Sequence, residues 1–360
     1  MDALTVSTPG RICLFGEHLD YLGLPVIAAA ISRRVGITGN HQSERKATIR
    51  LPDINETEAF VLTDTPLPYV RRRDYFRSGY NVLLKEGFTF SKGVDCEVKG
   101  NIPLNSGTSS SSALMVSWIH FMVQMSDRPL PLSRSRLARL AHRAEVLEFN
   151  EPGGTMDHYA TALGDVIYLS GNTEVESLRP KLGYFVLGDS GEPKDTIGIL
   201  SRLKGGVLQI VEKIQSEVPA FSLHTTDILE LDDFESLLTA EEVQLLRGTV
   251  GNRDILREAR EVLEAADLDH IRLGQLLSRH QDNLREAQRI STEKIDRMID
   301  AALHAGALGA KINGSGGGGC MFAYAPGHAG AVAEAIEREG GQAYIIRVDQ
   351  GTLAEPVSVG

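Results

Sequence analysis

Residues 101–115, NIPLNSGTSSSSALM, combine one glycine with four consecutive serines directly before an apolar run. Gly107 lets the backbone approach a ligand closely. The serines place hydroxyls and backbone N–H groups at the predicted N-terminus of a helix, which favours anions. A flexible serine-rich turn is the alternative, but structured flanks on both sides argue against it. We predict a phosphate-binding loop, and not a Walker A loop, because no Gly-Lys-Ser/Thr follows.

A second glycine-rich segment lies at residues 310–324, AKINGSGGGGCMFAY. The glycines at 314 and 316–319 indicate a backbone with little room for a Cβ atom. Two glycines would be enough for a hairpin turn. A ligand, or the serine loop pressed against this segment, would explain the larger number, and the sequence leaves these alternatives open.

Two carboxylates between these segments are candidates for chemistry. Glu145 lies on a predicted amphipathic helix, and Asp157 follows a Gly-Gly turn. Taken singly, Glu145 would be interpreted as a solvent-exposed helix residue and Asp157 as a helix N-cap. Together with the serine loop and Arg11, they supply the groups that phosphoryl transfer needs. These are oxygen ligands for magnesium, a carboxylate that accepts the proton of an attacking hydroxyl, and an arginine that stabilises developing charge.

An apolar strand pattern in residues 9–23, PGRICLFGEHLDYLG, runs directly into Glu17, His18, Asp20 and Tyr21. Buried polar groups are costly unless each has a hydrogen-bond partner. The end of this strand therefore needs either internal partners or a polar ligand.

Three of these segments, in this order, resemble the signature motifs of the GHMP kinase superfamily (galactokinase, homoserine kinase, mevalonate kinase, phosphomevalonate kinase). GRICLFGEHLDY resembles the galactokinase signature, PLNSGTSSSSAL the ATP loop, and KINGSGGGGC the C-terminal motif. The resemblance implies an α+β fold of two domains with the active site between them. Residues 1–180 would form a domain like ribosomal protein S5 domain 2, and residues 181–360 a ferredoxin-like domain.

The resemblance also implies roles for the matching residues. Asp157 corresponds to the catalytic carboxylate, and Arg11 to the arginine that lowers its pKa. The magnesium ligands are Glu145 and Ser111, with Ser110 as the alternative serine. The implied ATP-binding residues are Pro103, Gly107, Thr108, Ser109, Ser110, Ser111, Ser112, Gly316 and Gly317. Glu17, His18 and Asp20 match positions that bind sugar hydroxyls, with Gly154 beside the anomeric end, so the polar strand end would form the floor of a sugar pocket.

The implied function is magnesium- and ATP-dependent phosphorylation of the anomeric hydroxyl of an aldose, such as galactose, a uronic acid or arabinose. Cys13 replaces the usual Asn of galactokinases, and Thr108 replaces a Leu. The region after residues 184–200 lacks the Ser-Glu-Tyr and paired-Arg pattern of galactokinases, which includes a sugar-contacting Tyr. Mevalonate kinase, which residues 189–196 and 291–319 resemble, is one alternative. A non-catalytic sugar-sensing regulator is the other. The uninterrupted serine loop with Arg11, Glu145 and Asp157 favours catalysis.

The elements that must position these residues follow from hydrophobic periodicity. Strands are predicted at 3–8, 10–15, 24–31, 34–39, 46–52, 58–64, 93–100, 165–170, 182–190, 320–326 and 343–348, with a turn at about 171–181. Helices are predicted at 71–87, 111–125, 133–151 (capped by Ser133 or Ser135), 203–218, 254–268, 291–306 and 328–340. A helix is expected to run directly into the second glycine segment.

Composition excludes several classes of protein. The chain has 360 residues, 42% of them apolar, and a net charge of −11. Its one basic run, Arg71-Arg72-Arg73, predicts a solvated helix start, so nucleic acid is not an expected partner. The three separated cysteines fit no disulfide or zinc pattern and suit a reducing cytoplasm, and no apolar run reaches the roughly 18 residues of a membrane span. We expect a cytoplasmic monomer or homodimer whose partners are a sugar and ATP.

Overall fold

The computed structural model of the protein describes residues 3–104, 106–171, 173–193 and 195–357. The strands are β1 (Leu4–Phe15), β2 (Val26–Gln42), β3 (Lys46–Leu51), β4 (Glu56–Val61), β5 (Gly93–Gly100), β6 (Val166–Ser170), β7 (Glu174–Leu178), β8 (Phe185–Asp189), β9 (Gly309–Ile312), β10 (Cys320–Tyr324), β11 (Gln342–Ile346) and β12 (Leu353–Pro356). The helices are α1 (Tyr75–Lys85), α2 (Ser110–Gln124), α3 (Arg134–Glu145), α4 (Met156–Leu163), α5 (Thr196–Glu217), α6 (Ala240–Glu264), α7 (His270–Glu286), α8 (Glu293–His304) and α9 (Ala329–Arg338).

The strands form two sheets, and the fold is α+β as predicted. The larger sheet has the order β12-β1-β2-β5-β3-β4, and β6 and β7 extend it from β2. The smaller sheet is antiparallel in the order β11-β8-β10-β9. The predicted boundary at residue 180 falls between β7 and β8, although β12 returns to pair with β1. The division into two domains at that residue stays a prediction.

Strand β1 is buried on both faces. Val6 and Cys13 belong to the core that α1–α4 cover. Ile12 and Leu14 belong to a second core, shared with the smaller sheet and with α6 and α7. Because successive side chains of a strand point to opposite faces, burial of both faces explains why the sequence here reads as an unbroken apolar run.

Helix α2 positions the serine loop. It is buried almost all round, as a helix without a polar face should be. Trp118 is fully buried, and its indole N–H donates to the Phe76 carbonyl at 2.9 Å. A rigid, core-embedded helix therefore holds the serines at its N-terminus. The predicted cap of α3 is confirmed at Ser133, whose hydroxyl accepts from the Arg136 N–H at 3.2 Å.

Several local predictions are wrong. The strands predicted separately at 3–8 and 10–15 form one continuous strand, β1, and those predicted at 24–31 and 34–39 form β2. A shift in the register of the β1–β2 pairing between Pro9 and Arg11 lets β1 continue through the proline. The basic run at 71–73 precedes α1, since Arg73 has a left-handed φ of 57°. The predicted turn at 171–181 contains β7, and β9 rather than a helix enters the second glycine segment. Strand β12 was not predicted.

In the described part of the chain, no helix has the length and apolarity needed to cross a membrane.

Candidate active site

A cavity of about 300 Å³ opens where the end of β1, the N-termini of α2, α4 and α5, and the hairpin loop between β9 and β10 meet. It brings together most of the residues predicted from the sequence. These are Arg11, Glu17, His18, Asp20, Gly107, Ser109, Ser110, Ser111, Ser112, Glu145, Gly154 and Asp157. Residues more than 140 positions apart thus share one polar cavity.

Arg11 and Asp157 form the central ion pair of the cavity. The Arg11 Nε and Nη2 atoms lie 2.8 and 2.7 Å from Asp157 Oδ1, and Arg11 Nη1 donates to the Gly107 carbonyl. The Asp157 side chain is 33% exposed and that of Arg11 only 4%. Burial raises the pKa of Asp157, but the charges of Arg11 and His158 outweigh it, and the net pKa lies below the usual value. Asp157 is therefore an ionised carboxylate that Arg11 holds toward the cavity.

Hydrogen bonds join the serine loop to the loop between β9 and β10 (residues 313–319), which we call the glycine hairpin. The Asn313 amide donates to the Gly107 carbonyl at 2.9 Å, and the Cys320 N–H donates to the Ser106 carbonyl at 2.7 Å. A Cβ atom at Gly319, whose φ is +74°, would lie 2.6 Å from that carbonyl oxygen. The structure thus shows both a hairpin and a close approach of the serine loop, which accounts for Gly314 and Gly319. Cβ atoms at the other three glycines would instead meet Ile290, Ile199 and Glu192.

Glu145 lies at the end of α3, opposite the serines. Its Oε2 atom is 2.7 Å from His158 Nε2, and both side chains are nearly fully buried. Burial raises the pKa of Glu145, but the hydrogen bond and charge of His158 and the hydroxyls of Ser111 and Ser112 bring it below the usual value. An ionised carboxylate beside a hydroxyl is an oxygen donor set that Mg²⁺ prefers. The described residues contain no group of three or more His, Cys, Asp or Glu side chains arranged for a metal ion, so further ligands would have to come from phosphates or water.

Glu17 is already fully engaged within the protein. Its Oε2 atom lies 3.0 Å from Lys311 Nζ, and its Oε1 atom accepts from the Gly314 N–H. Lys311 is fully buried and also donates to the Cys13 carbonyl at 3.0 Å. The Glu17–Lys311 pair therefore joins the end of β1 to β9 and to the glycine hairpin.

We expect Glu17→Gln to lower the free energy of unfolding by about 3–5 kcal/mol, because it leaves the Lys311 ammonium buried without a counter-charge. Urea unfolding followed by circular dichroism measures the effect. The control is the double variant Glu17→Gln with Lys311→Met, which removes both charges and should recover much of the loss. Equal instability of the single and double variants would contradict this role for the pair.

His18 also has partners at both ring nitrogens. Nδ1 lies 2.9 Å from the Tyr21 hydroxyl, and Nε2 lies 3.2 Å from the Ser315 carbonyl. Burial lowers the pKa of His18 to about 3, so the ring is neutral. Nε2–H then donates to Ser315, and Nδ1 accepts from Tyr21. The polar groups that were puzzling in the sequence are thus largely satisfied by each other and by the glycine hairpin.

Asp20 faces the cavity close to Asp157. Its Oδ2 atom accepts from the Met156 N–H at 3.2 Å, and a Cβ atom at residue 154 would overlap its carboxylate. Gly154 is therefore required for the position of Asp20. Burial, and then the charge of Asp157, raise the pKa of Asp20 to about 6.

Four predicted ATP-binding residues lie outside the cavity lining. The Thr108 hydroxyl pairs with that of Ser106 at 2.9 Å, and the Pro103 carbonyl accepts from Ser106 at 2.8 Å. Gly317 N–H donates to the Ile290 carbonyl at 2.7 Å, and a Cβ atom on Gly316 would press into the Ile290 side chain. These residues shape the two loops, and their contact with a nucleotide stays a prediction.

The cavity also contains residues that sequence reasoning missed. The main ones are Arg73, Tyr75, Glu151, His158, Thr196, Ile197, Leu200 and Ser315. Arg73 was interpreted as solvated, but it forms a two-point ion pair with Glu151 at 2.6 and 2.7 Å. The one sequence signal that could have found any of these residues is the spacing of Ile197 and Leu200, which puts both on one face of α5.

The cavity joins the N-terminus of a helix, which favours anions, to an ionised carboxylate held by arginine, and this combination suits phosphoryl transfer. Comparison with known proteins agrees. Residues 74–165 match the GHMP kinases N terminal domain, residues 258–342 the GHMP kinases C terminal domain, and residues 2–41 the galactokinase galactose-binding signature. The chain belongs to the GHMP kinase family and has its two-domain fold. It is a kinase that phosphorylates a small molecule.

Individual relatives divide between two substrates. The chain is 30% identical to a mevalonate kinase of Pyrococcus furiosus, over 96% of each chain. It is 27% identical to a galactokinase of Mannheimia succiniciproducens, over 90% of this chain and 85% of the relative. In fold it is similar to a Lactococcus lactis galactokinase solved with galactose, with a TM-score of 0.85, 22% identity, and coverage of 98% of this chain and 95% of that one.

Proposed function

We propose that the protein transfers a phosphoryl group from ATP to the anomeric hydroxyl of an aldose, as a galactokinase-like enzyme. The observation that carries this proposal is the position of Asp157. It lies in one cavity with the serine loop and with the polar strand end at residues 17–21. The match of residues 2–41 to the galactose-binding signature supports a sugar.

Ser111 and Glu145 would hold a magnesium ion, which fits their oxygen donors. The N-terminus of α2 and the loop at residues 107–112 would hold the phosphates of ATP. When bound, magnesium neutralises phosphate charge and fixes the orientation of the transferred group.

Asp157 orients the acceptor hydroxyl and takes its proton as the new bond forms. Arg11 keeps Asp157 ionised and aimed at the cavity. A weakly basic carboxylate is sufficient here, because phosphoryl transfer depends mainly on positioning and charge stabilisation. Asp20 accepts from further hydroxyls of the substrate and so fixes its orientation relative to Asp157.

Mevalonate is the second candidate substrate. The 30% identity with the Pyrococcus furiosus enzyme over nearly the whole chain favours it. So do Ile197 and Leu200, which form an apolar part of the cavity wall. The carboxylate of Asp20, which faces the cavity, favours the sugar.

An assay of ADP release with magnesium and ATP across neutral aldoses, uronic acids and mevalonate tests the proposal. We expect the highest kcat/KM with an aldose or aldose-derived acid, and phosphate on the anomeric oxygen by ³¹P and ¹³C NMR. If the enzyme phosphorylates mevalonate and none of the sugars, its substrate is mevalonate and not an aldose. Sugar binding without any ADP release would indicate the non-catalytic sensor instead.

We also expect the sugar KM to rise about tenfold between pH 7 and pH 5. The pKa of Asp20 is about 6, so at pH 5 most molecules carry a neutral carboxyl that accepts hydroxyl hydrogen bonds poorly. Steady-state kinetics at saturating ATP measures the effect. Asp20→Asn should show a raised KM at pH 7 and little change between the two pH values. A flat KM in the unaltered enzyme would argue against Asp20 as a sugar ligand.

A further inference from the structure

A second cavity, of about 410 Å³, lies beside the active site. The two cavities share three wall residues, Tyr21, Gly153 and Gly154. Both glycines belong to the turn that leads into α4 and Asp157. Anything bound in the second cavity would therefore contact the segment that positions the reactive carboxylate.

The wall of the second cavity carries positive charge. Its lining includes Arg139 and Arg143 of α3 and Lys204 of α5, and no Asp or Glu. The active-site cavity, in contrast, is lined by five carboxylates, at positions 17, 20, 145, 151 and 157. The second cavity thus favours an anion where the first favours hydroxyls and a metal-bound phosphate.

Two of these cations have no acidic partner among the described residues. Arg143 Nη1 is 3.1 Å from Glu86 Oε1, but Arg139 and Lys204 form no ion pair with the described residues. Lys204 Nζ lies 5.8 Å from the centre of the Tyr21 ring. The side chains of Arg139 and Lys204 are therefore free to contact an anion in the cavity. Nε2 of His142 is also buried at this wall without a hydrogen-bond partner.

We propose that this second cavity binds a carboxylate or phosphate group of a small molecule. Arg139 and Lys204 would contact the anion, and His142 would bond to a neighbouring polar group. The anion belongs either to the sugar itself, as in a uronic acid, or to a separate molecule. The proposal rests on the proposed function only if the anion is part of the sugar.

Two properties of the wall connect this cavity to catalysis. The Tyr21 hydroxyl holds His18 of the active site at 2.9 Å. Gly154 abuts the Asp20 carboxylate. A ligand that presses on Tyr21 or Gly154 would therefore change the position of groups that we propose bind the sugar.

The test uses the double variant Arg139→Gln with Lys204→Gln. Its control is Arg128→Gln with Lys181→Gln, which removes the same charge from two exposed residues outside the cavity. The affinity for inorganic phosphate is measured by calorimetry with saturating AMP-PNP, a non-hydrolysable ATP analogue with all three phosphate positions, so that the serine loop does not contribute. We expect the first variant to bind phosphate about tenfold more weakly than the control, as the loss of two charge-assisted contacts predicts.

Kinetics then separate the two sources of the anion. If the sugar carries it, the first variant loses about tenfold in kcat/KM for galacturonate but not for galactose, and phosphate competes with galacturonate. If the anion is a separate molecule, phosphate binds without competing with any sugar. Equal phosphate affinity in both variants, or none in the unaltered protein, overturns the proposal. The phosphate measurement needs no turnover, so its outcome is independent of whether an aldose is the substrate.

Discussion

Replacing Asp157 by Asn is expected to lower kcat by about a thousandfold, the loss typical of removing a positioned acid–base group. The amide keeps the shape of the side chain but cannot accept the proton of the attacking hydroxyl. It also cannot balance the charge of Arg11, whose Nη2 atom lies 2.7 Å away. The nucleotide should bind almost normally, because the serine loop and Glu145 are unchanged. Single-turnover kinetics and a fluorescent ATP analogue separate the two effects.

The control for this variant is Asp267→Asn, which removes an exposed carboxylate outside the cavity lining and should leave kcat unchanged. Parallel losses of nucleotide affinity and kcat in Asp157→Asn would indicate a disturbed fold. That result would remove the basis for assigning proton transfer to Asp157.

Replacing Arg11 by Gln is expected to lower kcat about a hundredfold, as for the loss of one preorganised charge-stabilising donor. Arg11 lowers the pKa of Asp157. Without it, the pKa of Asp157 rises. The acidic limb of the kcat–pH profile should therefore move to higher pH. A purely structural role for Arg11 would reduce kcat without moving this limb.

Arg11→Lys provides the conservative comparison. It retains the positive charge, but one ammonium cannot reproduce the planar contacts to both Asp157 and the Gly107 carbonyl. We expect an intermediate kcat and an acidic limb close to that of the unaltered enzyme. An acidic limb displaced as far as in Arg11→Gln would show that geometry, rather than charge, controls Asp157.

The sequence was most informative where chemistry restricts residue type. The serine loop, Arg11, Glu145 and Asp157 were predicted as one site, and the structure brings all of them to one cavity. The serines lie directly before a core helix, and the glycines lie where the backbone has no room for a Cβ atom. Both features depend on local backbone geometry, which can be recognised from the pattern of residues along the chain. The α+β class followed from the order of the predicted elements, with strands concentrated early in the chain and helices late.

The sequence was silent where a contact depends on tertiary packing. His158 beside Glu145 and Lys311 beside Glu17 are pairs whose partners lie 13 and 294 residues apart. Neither residue differs locally from an ordinary helix or strand position. Arg73 was misjudged because its partner, Glu151, belongs to another segment. Long-range pairing also explains why β12 was missed, since a short strand at a sheet edge has almost no pattern of its own.

Strand β12 also affects how the protein is made. It pairs with β1 at Leu4 opposite Pro356, and the Thr352 hydroxyl accepts from Thr8 at 2.9 Å. A ribosome translates β12 after every other described element. At about 5–20 residues per second, roughly 20–70 s separate the two strands. Throughout that interval residues 4–7 of β1 have no partner strand on this edge, and an unpaired edge can pair with strands of other chains.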